Sequence, residues 1–468
     1  MSTLHDEQIP SREKVLIVGA GPAGLAAAAA LQALEVPFDL VDRAAHVGGI
    51  WNPDREDSPV WPALEMVSSR DFTQFEDMIQ PASYPSFLDP VRMAKYLRAY
   101  AAKHRLTEHF QPRTEVRYAR PFGEGTWQVE LSNGQVHVYR ALIAAHGISQ
   151  RPHRPAWARE LPRTTRVLDA RDWTGGDGLE GLRVVVVGSG QSAADIAVDA
   201  ARRAGWVHWS VRSGHWILPR RIGPVPGDVL ASREPALLGR VNARIADLVA
   251  ERAVGDPADL GLPRPAADVL DDRAIVSDDV ADRIREGRIT PAADVVGVDE
   301  EGRLRLADGS VLAADVVILA TGYELGADYL SDDLLPRTAS GSPDLFLGAF
   351  PRSRDDLVLL GQVRVTGGVL PVLVEQADVA ALFLRAVRDD APAAEAFRRL
   401  RSGADASVRR RTVPDQGLLG RLRGALDTAS EARRRIPAPD SGVAEGLVPF
   451  VDRDELLERL RAARSVLS

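Results

Sequence analysis

The sequence predicts an α/β protein with two Rossmann-like domains and a helical C-terminal segment. Three observations predict it. Residues 14–24 read KVLIVGAGPAG, an apolar run that ends in a GxGxxG turn and continues as an Ala-rich helix. Residues 182–204 repeat the pattern, with GSGQSA at 188–193 as a GxGxxA turn. Beyond residue 357 a strand, a Gly-rich loop and a helix follow, which suggests that the chain returns to the first domain.

At 468 residues the chain is long enough for two or three domains, and 45% apolar residues suffice for substantial cores. A formal net charge of −8 disfavours nucleic acid and anionic membrane surfaces as partners. Cysteine is absent, which excludes disulfides, a CxxC redox pair, thiolate metal sites and a cysteine nucleophile. The nine histidines are scattered without ligand spacing, so no metal is expected. The polar start of the chain has no apolar leader core and no run approaches a membrane span. A soluble cytoplasmic protein is the expectation.

In the first unit Gly19 permits the tight turn, Gly21 admits a pyrophosphate to the backbone, and Gly24 lets helix and strand pack closely. Pro22 and Ala23 begin the helix, whose N-terminus offers free N–H groups to phosphate. Residues 38–41 form the next strand. Asp42 at its end can accept a ribose 2′-OH, which favours an adenosine without a 2′-phosphate, as in FAD. Arg43 stands beside it and joins the candidate contacts. The GGIW run at 48–51 has two readings. It is an ordinary loop anchored by Trp51, or backbone passing close to a flat ring, where only a glycine such as Gly49 fits. Residues 52–88 are irregular and rich in Pro, Ser and Asp, which reads as a functional loop. Asp89-Pro90 predicts the cap and first turn of a helix running to residue 104. Strands fill 114–145, with Asn133-Gly134 as a hairpin turn, and Pro152 and Pro155 mark the edge of this segment.

In the second unit Gly188, Gly190, Gln191 and Ser192 form the turn. The following strand, 207–211, ends in Arg212 and Ser213 rather than an acid. A missing carboxylate removes repulsion against a 2′-phosphate, and Arg212 can pair with that phosphate bidentately, so NADPH is expected here. The alternative is that Arg212 is a solvated strand end. Ser210, Arg220 and Arg221 are candidate helpers. Residues 222–275 contain Pro-rich loops and an amphipathic helix striped by Leu237, Leu238, Val241, Ile245, Leu248 and Val249. That helix reads as packing or a lid. A hairpin at Asp308-Gly309 leads through an apolar strand into Thr321 and Gly322. Residues 386–468 have helical propensity, and the Arg runs at 409–411 and 433–435 read as solvated helical faces.

The series of motifs resembles the flavin-containing monooxygenase family, the class B flavoprotein monooxygenases, which include Baeyer–Villiger and N-hydroxylating relatives. The landmarks are GAGPAG (19–24), Asp42, GGIW (48–51), GSGQSA (188–193) and VRSGHWILPR (211–220), then DGSVLAADVVILATGY (308–323), GQVRVTGGVLPVLVEQA (361–377) and FVDRDELLERL (450–460). The resemblance implies a discontinuous FAD-binding domain from 1–174 and 311–468, helical from about 386, with an NADPH-binding domain inserted at 175–310. Thr321, Gly322 and Gln362 fall in its motifs and join the cofactor contacts. It implies that NADPH reduces FAD and that the reduced flavin adds O2 as a C4a-(hydro)peroxyflavin. Oxygen then passes to nitrogen or sulfur of a small molecule. The alternatives are Baeyer–Villiger oxygenation of a ketone, an NADPH oxidase-like flavoprotein, and a flavin-binding redox sensor. A thioredoxin-reductase-type enzyme fails for want of a cysteine pair.

No catalytic side chain is assigned, because the chemistry is the cofactor's. Two departures from the family pattern stand out. In the loop 61–77, Leu64 places the family's Asn on Val67, which cannot hydrogen-bond, and greater leakage to hydrogen peroxide is expected. In the fingerprint FxGxxxHxxx(aromatic), Arg163, Thr165 and Asp169 stand for Phe, Gly and His, and only Trp173 agrees. The sequence names no substrate, and a homodimer is compatible with it.

Overall fold

The computed structural model describes residues 10–55, 57–123, 125–231, 255–266, 274–324, 327–338, 343–365, 367–403, 450–451 and 453–468. The predicted stripe at 237–249 and the Arg runs at 409–411 and 433–435 lie outside these residues.

The four apolar residues of Val15–Val18 are all buried, as a strand covered on both faces requires. This strand is the centre of a five-stranded parallel sheet ordered Leu357–Leu359, Ala141–Ala144, Val15–Val18, Phe38–Val41, Phe110–Gln111. The chain does return: Leu357–Leu359 pairs with Ala141–Ala144, some two hundred residues earlier in sequence. Helix Pro22–Ala33 packs against helix Leu370–Arg388, and Arg453–Leu467 packs on the latter. The capped helix predicted from residue 89 spans Pro90–Lys103, and Asp89 accepts from the Arg92 N–H.

The second sheet is built alike. Its order is Ile289–Ala292, Trp206–Ser210, Arg183–Val187, Val316–Leu319, Arg166–Asp169, again all parallel. In each unit a three-stranded antiparallel meander precedes one strand of the sheet. Val116–Pro121, Trp127–Leu131 and Val136–Tyr139 lead into Ala141–Ala144. Val295–Val298, Leu304–Leu306 and Val311–Leu312 lead into Val316–Leu319.

This corrects the expected boundaries at 174/175 and 310/311. Strands Arg166–Asp169 and Val316–Leu319 belong to the second sheet, not the first. A short apolar run such as VVIL announces a buried strand but carries no address, since either sheet would bury it equally well. The chain crosses between units near residues 152 and 323. There Arg151–Pro152 and Tyr323–Glu324 pair as an antiparallel ribbon. Among the described residues no helix is long and apolar enough to cross a membrane.

Candidate functional site

Both glycine turns lie at the C-terminal ends of their central strands, where a parallel sheet presents helix N-termini to a ligand. In the first, Gly19 has φ +107°, and a Cβ there would stand 2.5 Å from the Ala145 carbonyl oxygen. Helix Pro22–Ala33 starts after Gly21 with no side-chain cap, so its first N–H groups are available to an anion. Gly49 closes over this turn: a Cβ on it would come within 2.8 Å of the Gly21 Cα. Trp51 packs against the first core. Asp42 is buried, and its two oxygens accept from Ala20 N–H (2.7 Å) and Ala44 N–H (2.8 Å). Asp42 therefore fixes the turn, and each oxygen keeps a lone pair for a ribose hydroxyl.

The second turn repeats the plan. Gly188 has φ +145°, and its Cβ would stand 2.3 Å from the Ala320 carbonyl oxygen. Helix Gln191–Ala200 likewise begins without a side-chain cap. Gln191 is engaged: its amide donates to Val276 O (2.8 Å) and Asp195 (3.0 Å), and its oxygen accepts from Val276 N–H (2.8 Å). Ser192 is exposed on the first turn. The Ser189 hydroxyl accepts from the backbone N–H groups of Arg212 (3.0 Å) and Ser213 (3.1 Å), which pins the second strand's end to the turn. The Arg212 side chain is exposed and forms no ion pair among the described residues.

Residues 12–405 match the flavin-binding monooxygenase-like (FMO-like) family. The chain belongs to that family. It is similar to flavin-containing monooxygenase 2 of Homo sapiens, 27% identical over 389 residues, covering 78% of this chain and 72% of the relative. It is also similar to dimethylaniline monooxygenase [N-oxide-forming] 2 of Rattus norvegicus, 28% identical over 389 residues with the same coverage of each, 78% and 72%. Among solved structures, cyclohexanone-bound cyclohexanone monooxygenase in its Rotated conformation shares the fold. Its TM-score is 0.62 at 17% identity, covering 98% of this chain and 97% of that one. As an FMO-like flavoprotein the chain is an NADPH- and O2-dependent oxidoreductase that uses FAD. The residues present fit both groups: two uncapped helix N-termini, two glycine cradles that a Cβ would fill, and buried polar atoms without partners, Ser69 Oγ and Gln362 Oε1 among them.

The remaining predicted positions fall in three places. Gln362 is 1% exposed; its amide donates to Leu360 O at 3.4 Å and its oxygen has no partner. Thr321 and Gly322 lie beside the second turn and staple the two crossings together. The Thr321 hydroxyl donates to His153 O, and Gly322 O accepts from His153 N–H (2.9 Å). Arg43 reaches away from Asp42 to Asp57 and to Gln150 Oε1 (3.0 Å).

The structure reveals contacts between and within the units that no local pattern announced. Asp57 receives Arg43 and Arg55 from the first unit and Arg171 (3.2 Å) from the second. Burial pushes the Asp57 carboxyl up, but the Arg55 hydrogen bond and the three guanidinium charges outweigh it and hold it near about 2. Asp169 is buried and held by a fork from Arg154, at 2.9 Å to one oxygen and 2.6 Å to the other. Trp173 donates its indole N–H to Asp199 of the second nucleotide helix (3.1 Å). The loop 61–77 lies between the cores: Trp61 and Leu64 pack on the second, Met66 and Phe75 on the first. Val67 is half-buried on it. Among the described residues no group of three or more His, Cys, Asp or Glu is placed to hold a metal.

Proposed function

We propose that the protein oxygenates a small molecule at nitrogen or sulfur, with FAD on the first glycine turn and NADPH on the second. The observation that carries the reading is the contrast at two otherwise equivalent strand ends: buried Asp42 on one, exposed Arg212 on the other. Asp42 suits a ribose diol and repels a 2′-phosphate, whereas the planar guanidinium of Arg212 matches one. The relation to an N-oxide-forming monooxygenase supports oxygenation at nitrogen.

Bound FAD and NADPH supply the electron transfer and the activation of O2, so no side-chain nucleophile is needed. The chain's residues bind, orient and exclude water. Gly19 and Gly49 bring backbone close to the first ligand, and the N–H groups after Gly21 face its phosphates. The loop carrying Trp61, Leu64 and Met66 packs on both cores, and these apolar side chains limit water at the junction between the units. The test is anaerobic addition of NADPH to the FAD-loaded protein, followed by air with a tertiary amine, a thioether or a cyclic ketone. Flavin bleaching, then N-oxide or sulfoxide, is the expected result. A flavin that NADPH does not bleach would end the reading.

Val67 favours a second reading. An apolar side chain at that position supplies no hydrogen bond, which points to an NADPH oxidase-like activity. Stoichiometric hydrogen peroxide with every substrate tried would support it over the first.

A further inference from the structure

Ser69 is 1% exposed, and its hydroxyl has no hydrogen-bond partner. Its neighbour Ser68 is also buried, but that hydroxyl meets Thr73 Oγ1 at 2.8 Å. A buried hydroxyl without a partner is destabilising, and nearly all such groups in folded proteins are satisfied. Trp61 Nε1, Gln80 Oε1 and Gln362 Oε1 share the condition. All four lie on the loop after Trp61 or on the turn after strand Leu357–Leu359, which belongs to the first sheet. The loop that carries Ser69 packs on the first core through Met66 and Phe75.

The loop cannot shift to find Ser69 another partner. The Ser69 backbone N–H donates to Asp228 Oδ2 at 2.6 Å, and its carbonyl accepts from Phe72 N–H at 3.0 Å. The Arg70 N–H is held by Ser86 O at 2.6 Å. The Phe72 carbonyl abuts Gly368 so closely that a Cβ there would come within 1.9 Å. The Phe72 ring lies under the Arg453 guanidinium, 4.5 Å from its centre. A buried donor on a backbone fixed from several sides is preorganised for a ligand.

We propose that the Ser69 hydroxyl donates a hydrogen bond to the ring of the bound flavin, and that Asp228, from the segment after the second nucleotide strand, is the positioning residue that holds it. The proposal rests on FAD occupying the first unit. The flavin ring edge presents carbonyl oxygens and ring nitrogens as acceptors, and reduction adds negative charge to it. A fixed donor therefore binds the reduced ring more tightly than the oxidised one. Ser69 raises the flavin midpoint potential, and Asp228 couples that potential to the inserted unit.

The experiment is a spectroscopic redox titration of the FAD-loaded protein as wild type, Ser69→Ala, Ser69→Thr and Asp228→Ala, with thermal melts of each apoprotein. Ser69→Ala is expected to favour the oxidised ring roughly tenfold, a fall of about 30 mV for a two-electron couple. Its apoprotein should melt no lower than wild type, because the substitution removes an unsatisfied group. Ser69→Thr keeps the wild-type potential, and Asp228→Ala lowers it by less than Ser69→Ala. An unchanged potential in Ser69→Ala would overturn the proposal, as would an apoprotein that melts lower and is not restored by Thr. A wild-type protein that fails to bind FAD would sink the cofactor assignment and this proposal together.

Discussion

The two nucleotide turns share a backbone plan and differ in what lies over them. Gly21 faces Gly49, 3.4 Å from where a Cβ would be, whereas Gly190 is exposed and a Cβ on it would meet nothing within 4 Å. The third glycine of the first turn, Gly24, abuts the Gly19 carbonyl, where a Cβ would stand 1.8 Å away; the equivalent residue of the second turn is Ala193, fully buried. Asp42 is folded into its turn by two backbone N–H groups, while Arg212 is presented outward. One turn is closed and the other open. The difference suits a cofactor that stays and one that comes and goes.

The largest effect should come from Gly24→Ala. The added methyl meets backbone rather than a movable side chain, and a loss of more than about 3 kcal/mol with failure to retain FAD is expected. Ala193→Gly at the matching position should cost only about 1 kcal/mol and leave FAD in place. Equal costs in chemical melts would break the comparison.

Next is Arg212→Ala. NADPH should bind roughly thirtyfold more weakly, with NADH affinity and FAD content unchanged. Parallel loss of NADH binding in fluorescence titrations would mean that Arg212 does not read the 2′-phosphate.

Arg154→Ala probes the contact between crossing and second sheet. It leaves the Asp169 carboxylate buried without its fork, and a destabilisation of about 2 kcal/mol is expected from denaturant unfolding. Asp169→Asn should cost less, because it removes the charge that needed pairing.

The smallest effect concerns Asp195 on the second nucleotide helix. Burial pushes its carboxyl up to about 7, against the Gln191 hydrogen bond and the Arg220 charge that lower it. A pKa raised above the unfolded value gives stability that is full below about pH 4 and lost as pH rises through about 7. Ionisation there also places a negative charge beside an anion-binding helix start. NADPH affinity should therefore fall by roughly threefold from pH 6 to pH 8, and Asp195→Asn should flatten the profile.

Much of this contrast was legible in the sequence. The glycine spacings, Asp42 and Arg212 are local signals, because turn chemistry and strand ends are short-range. The Asp89 cap and the Asn133-Gly134 hairpin were legible for the same reason. Strand Val316–Leu319 is legible as a strand, but its sheet is not, since its partners Arg183–Val187 and Arg166–Asp169 are chosen by long-range packing. Asp57 draws Arg171 from 114 residues away and Ser69 draws Asp228 from 159. No spacing rule reaches that far. Gly49 lies against Gly21, a contact between two glycine turns that neither reading of GGIW describes.

The central claim is that the closed turn holds a resident cofactor and the open turn an exchanging one. It is tested most directly by loading the protein with FAD and NADP+ and measuring both dissociation rates by rapid displacement. FAD is expected to survive desalting and to leave at least about a hundredfold more slowly than NADP+. Comparable rates, or FAD lost first, would contradict it.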